Sequence, residues 1–161
     1  MIQEDFSLQN SENYKPYEQS IELVEFLKNQ FGFPDDLFVG KSFYTIENSN
    51  IVYMLNSELD FHYKVTQIGI PVFKGEFPKG YVTNNFIYRY GKLAKKNVIE
   101  VDDNSIMTLL NREGISLSEE NCSKGHHILK SGQKILGRGW IREGMLYFDG
   151  SKIWRQNLLD N

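Results

Sequence analysis

The stretch FIYRYGKLAKKNVIEVD, residues 86–102, decides how the chain divides. Its first part carries Arg89, Lys92, Lys95 and Lys96 with no acid among them, and Tyr88, Tyr90 and Gly91 are interleaved with those charges. It then turns into an apolar β-forming run, Val98-Ile99-Glu100-Val101. Residues 1–82 hold 6 Lys/Arg against 12 Asp/Glu, whereas residues 83–161 hold 12 against 9. The chain's net charge of −3 therefore averages an acidic half and a basic half. Local charge governs docking, because fields are screened within about 8–10 Å at physiological salt. The stretch is where the halves meet and where a nucleic acid is expected to be held.

Upstream, Ile21, Val24, Leu27 and Phe31 recur at helical spacing, with Leu23 and Phe26 widening the face, and predict a helix near 16–31 stopped by Gly32 and Pro34. Residues 1–13 read as a polar tail. Phe38-Val39 and Phe43–Ile46 are β-formers, Glu47–Asn50 a hairpin turn, and Ile51–Leu55 the returning strand. A short helix is expected around Ser57–Val65 and a strand over Gln67–Phe73, with Pro71 marking an edge or an end. Gly75, Pro78 and Gly80 form a breaker-rich link, which places a domain boundary near residue 82.

Downstream, Thr83–Tyr90 suits a strand or a short helix, Leu93–Lys96 a turn and Asn97–Val101 a strand. Asp103 or Asn104 can cap a helix through Leu110, ended by Gly114. Ile115–Leu117, His126–Lys130, Ile135–Ile141 and Met145–Phe148 are short strands joined by Gly-bearing turns, the pattern of a small barrel. The fold class is α+β: an N-terminal acidic α/β domain over 1–82, then a pseudo-barrel over 83–161.

Catalytic signatures are absent. No phosphate loop, dinucleotide-binding glycine turn or GxSxG elbow occurs. One cysteine, Cys122, and three histidines give no zinc-ligand spacing, and His126 and His127 should point to opposite faces of a strand. No metal, cofactor or enzymatic activity is expected. One cysteine allows no internal disulfide, and no apolar run reaches membrane-span length, so a cytoplasmic, non-membrane protein is expected.

What is present is basic and aromatic. Lysines and arginines of the opening stretch could pin phosphates, and extended residues 86–90 would put Tyr88 and Tyr90 on one face. A second acid-free tract holds Lys124, Lys130, Lys134, Arg138 and Arg142, with Arg138 between Gly137 and Gly139. Those glycines would admit a phosphate closely, or relieve crowding at a barrel strand. Phosphate contacts are assigned to Arg89, Lys92, Lys95, Lys96, Lys134, Arg138 and Arg142, and base or sugar contacts to Tyr90 and Trp140.

The segment from Phe86 to Val101, with its arginine–aromatic–glycine step and Ala94-Lys95-Lys96-Asn97 run, resembles the junction in the C-terminal RNA-binding region of Sun-type RNA cytosine-5 methyltransferases. Gly125–Leu129, Leu136-Gly137-Arg138-Gly139 and Gly144-Met145-Leu146 resemble that region's closing PUA-type strands. Residues 1–82 are similar to the α/β domain that precedes PUA domains there and in a small two-domain ribosome-biogenesis factor. The family's catalytic domain is missing, with no cofactor loop and no Pro-Cys nucleophile, and its closing Asn–x–Leu–Pro is altered here to Ile153–Leu159. The resemblance implies a free-standing, PUA-like accessory protein that binds structured RNA, rRNA or tRNA, in modification or maturation. A separate RNA-modifying enzyme is the implied protein partner. The competing reading is a protein–protein adaptor in ribosome biogenesis that touches no RNA.

Overall fold

The computed structural model describes residues 13–56, 66–118, 123–150 and 156. The expected helix around 57–65, Cys122 and the closing segment with Trp154 lie outside the described residues. The fold is α+β, and the described residues form two five-stranded sheets. The first runs β1 (Tyr14–Pro16), β2 (Ser42–Ile46), β3 (Ile51–Leu55), β4 (Ile70–Lys74) and β5 (Tyr81–Val82), neighbours in chain order and all antiparallel. The second contains β6 (Val98–Glu100), β7 (Ile115–Ser116), β8 (Gly125–Ser131), β9 (Lys134–Arg142) and β10 (Met145–Phe148), in the order β6-β8-β9-β10-β7. Among the described strands of this sheet only the β6–β8 pairing is parallel.

Helix α1 (Ser20–Phe31) starts later than the apolar spacing implies, because Tyr14–Pro16 is taken as an edge strand by β2. Its buried stripe is Leu23, Leu27 and Phe31, four residues apart. Gly32 ends it at φ +65°, a left-handed conformation that costs glycine no side-chain clash. Phe38-Val39 is not a strand. Asp35–Phe38 closes a 3-10 turn, anchored by an ion pair of 2.6 Å between Asp35 and Lys28. Pro71 lies inside β4, opposite a bulge at Val52/Tyr53, and its carbonyl accepts from the Thr83 hydroxyl. The ladder is locally disrupted there, so the missing N–H is tolerated.

Residues 84–90 form helix α2 (Asn84–Tyr90), so the extended alternative fails. Thr83 decides it: its Oγ1 accepts from the Phe86 N–H at 3.2 Å, an N-cap that a strand could not use. Phe86 and Ile87 are fully buried in a core that also takes Leu23, Leu27, Phe31, Val72 and Phe73 from the first half and Ile128 and Ile135 from the second. That core is continuous across both sheets, and α2 is the wedge that joins them. A second core, Leu109, Leu129, Ile141 and Leu146 among others, lies on the other face of the second sheet under α3 (Asp103–Leu110). Asp102, one residue earlier than expected, caps α3 by accepting from Ser105 N–H at 2.8 Å.

Candidate nucleic-acid interface

The Gly137-Arg138-Gly139 step is where α2 docks on β9. A methyl at position 137 would stand 2.8 Å from Tyr88 Oη and 3.0 Å from Asn84 Oδ1, and one at 139 would meet the Leu129 side chain at 2.8 Å. The close approach that these glycines permit is therefore made by the protein itself, by α2 at Gly137 and by Leu129 of β8 at Gly139. Arg138 is 5% exposed. Its Nε and Nη2 donate to Asp149 Oδ2 at 2.9 and 2.6 Å, its Nη1 to Val82 O at 2.6 Å, and its guanidinium lies 3.9 Å from the Tyr81 ring centre. Asn84 completes the joint: Oδ1 accepts from Arg138 N–H, and Nδ2 donates to Asp149 O. Arg138 holds the halves together, and its guanidinium is already engaged by Asp149 and Val82.

The tyrosines divide in the same way. Tyr88 Oη donates to Leu136 O at 2.6 Å, and burial pushes its phenol far above the ordinary tyrosine range. Tyr90 packs on Phe86, ring centres 5.1 Å apart, against the shared core. In a helix these two residues do not share a face, and the expectation that Tyr90 faces a base gives way to its packing role. Arg89 is exposed in the last turn of α2, where a cation suits the helix C-terminus.

Lys96 is also partly committed. Backbone N–H groups of Lys95 and Lys96 both donate to Phe31 O, the Lys96 ammonium reaches Asn29 O at 3.4 Å, and Asn97 Nδ2 donates to Gln30 O at 2.6 Å. The segment thus satisfies the orphan carbonyls at the C-terminus of α1. This fixes the neighbouring Lys92 and Lys95 over the edge of the second sheet.

There the two basic tracts meet. Lys92 and Lys95 line a cleft of about 380 Å³ with Lys130, Gln133 and Glu100, floored by Val98 and Ile135. Glu100 accepts from the Gly132 N–H and pairs with the Lys130 ammonium at 3.2 Å. The Gly132 hydrogen bond, then Lys130, hold its carboxyl below the usual range. Among the described residues neither Lys92 nor Lys95 has a carboxylate within ion-pair reach. Three lysines against one carboxylate leave the cleft cationic. Lys130 was not among the assigned contacts; it enters because parallel pairing sets Glu100 beside it, and no local sequence pattern reports that register.

Lys134 is exposed at the start of β9, next to the turn that forms one wall of the cleft. Arg142 is at the other end of the same strand, about 27 Å away at 3.4 Å per residue. Among the described residues its ion-pair partner is Glu143, at 3.4 Å. The assigned contacts therefore do not share one groove: Lys92, Lys95 and Lys130 form the cleft, and Arg142 stands apart. Trp140 is half-buried on β9 and stacks on Tyr147, ring centres 4.8 Å apart.

The histidines point to opposite faces. His127 is 3% exposed, while His126 is half-buried. The Gly125 carbonyl lies 3.1 Å from His127 Nδ1 and can only accept, so Nδ1 carries the proton. Nε2 then accepts from the Ser123 hydroxyl at 2.9 Å, which ties the loop to the sheet. Burial depresses the His127 pKa, opposed by the Gly125 carbonyl. An unfolded histidine binds its proton below about pH 6.5, so between that and the lower folded value the unfolded state holds more protons. Stability should be full above about pH 6.5 and fall as the pH drops through the folded pKa. Urea midpoints measured across this window should decline more steeply in the wild type than in His127→Gln.

Among the described residues no cluster of three or more His, Cys, Asp or Glu is placed to hold a metal, and no helix is long and apolar enough to cross a membrane. No family model matches this chain, and no curated protein matches it.

Proposed function

We propose that this protein binds structured RNA through its second half, as a PUA-like accessory factor in rRNA or tRNA modification or maturation. The observation that carries the reading is the cleft lined both by Lys92 and Lys95 of one tract and by Lys130 of the other. A cleft lined by three lysines suits a backbone phosphate, which releases counterions as it is neutralised. The joint built by Asn84, Arg138 and Asp149 holds its walls in place, so the site is prepared before RNA arrives. The PUA-like assignment itself draws on the ordered strand motifs from Gly125 to Leu146. The protein acts by binding alone, with catalysis left to a separate enzyme.

The adaptor reading has one observation of its own. Ile21 and Val39, on the first half, are 73% and 75% exposed and could serve a protein partner. A salt titration of binding to total RNA separates the two. Under the RNA reading, affinity falls linearly with salt on logarithmic axes, and Lys92→Ala with Lys95→Ala lowers the slope by about two. Absence of binding at low salt supports the adaptor.

A further inference from the structure

Across the second sheet, His126 of β8 is register partner to Trp140 of β9, and Trp140 to Tyr147 of β10. Register partners in an antiparallel sheet point to the same face, so three consecutive strands present a row of rings. All three residues are half-buried. Trp140 and Tyr147 are stacked at 4.8 Å and 23°, and the Tyr81 ring lies 6.0 Å from His126. Gly114 keeps the far end of the row low, since a methyl there would stand 2.7 Å from Tyr147 Cε1. Neither buried core takes Trp140, Tyr147 or His126 as a member.

The row's charge is positive at one end. Arg142 follows Trp140 by two residues and so shares its face, with its side chain 68% exposed. The cleft lies on this same face. Glu100 and Lys130 are register partners, and Lys130 is four residues along β8 from His126, about 14 Å. Ile128, between them on β8, is fully buried under α2, so a strand reaching both sites passes around that helix and spans more than this distance. A row of half-open aromatic rings, a cation at its end and a phosphate-sized basic cleft on the same sheet face match what an RNA strand offers. Its unpaired bases have apolar faces and its backbone has charge.

We infer that the His126–Trp140–Tyr147 row is a stacking site for unpaired nucleobases of the RNA whose backbone enters the lysine cleft. The inference rests on the RNA-binding reading and adds a preference for single-stranded segments beside structured ones. Stacking is sequence-tolerant because every base has a π-face, so this site selects for unpaired bases and not for a particular sequence.

The test compares binding of a short single-stranded RNA of mixed sequence with an abasic strand of the same length and charge. The wild type should bind the base-bearing strand roughly ten-fold more tightly. Trp140→Leu should lose that increment and keep the salt slope. Trp140→Phe, which restores a ring, should recover most of it and guards against a mere folding defect. Equal affinity for the two strands, with salt dependence intact, overturns the stacking site and leaves the RNA reading standing. So does a Trp140→Leu variant that keeps the preference. If the strands bind equally and Trp140 is shielded from acrylamide in the free Trp154→Phe protein, the chain's own residues cover the row. Binding of neither strand, nor of duplex RNA, at low salt sinks both readings together.

Discussion

Gly137→Ala should destabilise the protein by about 2–5 kcal/mol, the sum of a backbone and a packing cost. The backbone cost arises because residue 137 sits at φ +132°, a conformation that L side chains rarely adopt. The packing cost arises because the added methyl meets Tyr88 Oη at 2.8 Å, Asn84 Oδ1 at 3.0 Å and Phe148 Cε2 at 3.1 Å. None of these can yield cheaply. Tyr88 is hydrogen-bonded to Leu136 O, and Asn84 is bonded on both sides of its amide. Gly132→Ala is the matched control: φ there is +57° with nothing within 4 Å, so only a left-handed penalty of about 1 kcal/mol applies. Urea denaturation reads both. A loss at position 137 no larger than at 132 would mean that α2 does not press on β9 as described.

Arg138→Met should cost about 3 kcal/mol, the lower end for breaking a buried charge pair. The discount has a cause: the Asp149 side chain is 41% exposed and keeps part of its solvation when the arginine goes. What remains is an unpaired Val82 carbonyl, a lost guanidinium over Tyr81 and a gap where the two sheets join. Arg138→Lys should rescue little, because one ammonium cannot reproduce the fork that spans Asp149 and Val82. At temperatures where the variant is still folded, its RNA salt slope should match the wild type. A reduced slope with unchanged stability would return Arg138 to the list of phosphate contacts.

Residues 137–139 show how much of this molecule was legible in its sequence. Local signals read well. Leu23, Leu27 and Phe31 at helical spacing marked α1, Asn48 and Gly132 mark hairpin turns, and the three closing strands lie within a residue or so of where alternation puts them. Two short elements are decided by tertiary contacts that propensity does not report. The helix is expected to start near residue 16, yet β2 uses Tyr14–Pro16 as an edge strand. Thr83–Tyr90 suits a strand or a short helix, and the Thr83 cap with burial of Phe86 and Ile87 selects the helix.

The site was harder to read, for a physical reason. An acid-free tract says which residues are cationic, not which are already satisfied. Arg138 found Asp149 eleven residues later and Val82 on the other sheet. Lys96 found the end of a helix sixty-seven residues earlier. Lys130, passed over as a contact, reached the cleft through a parallel pairing that only the folded chain reveals. Charge composition located the basic half; partner geometry sorted its members.

The central claim is that the cleft of Lys92, Lys95 and Lys130 holds RNA phosphate, and the salt slope of RNA binding tests it most directly. It should be measured for the wild type, for Lys92→Ala with Lys95→Ala, and for Arg142→Ala as the cation that stands outside the cleft. The slope should be lower by about two in the cleft variant, and by no more than about one in Arg142→Ala. A cleft variant with the wild-type slope and affinity would contradict it.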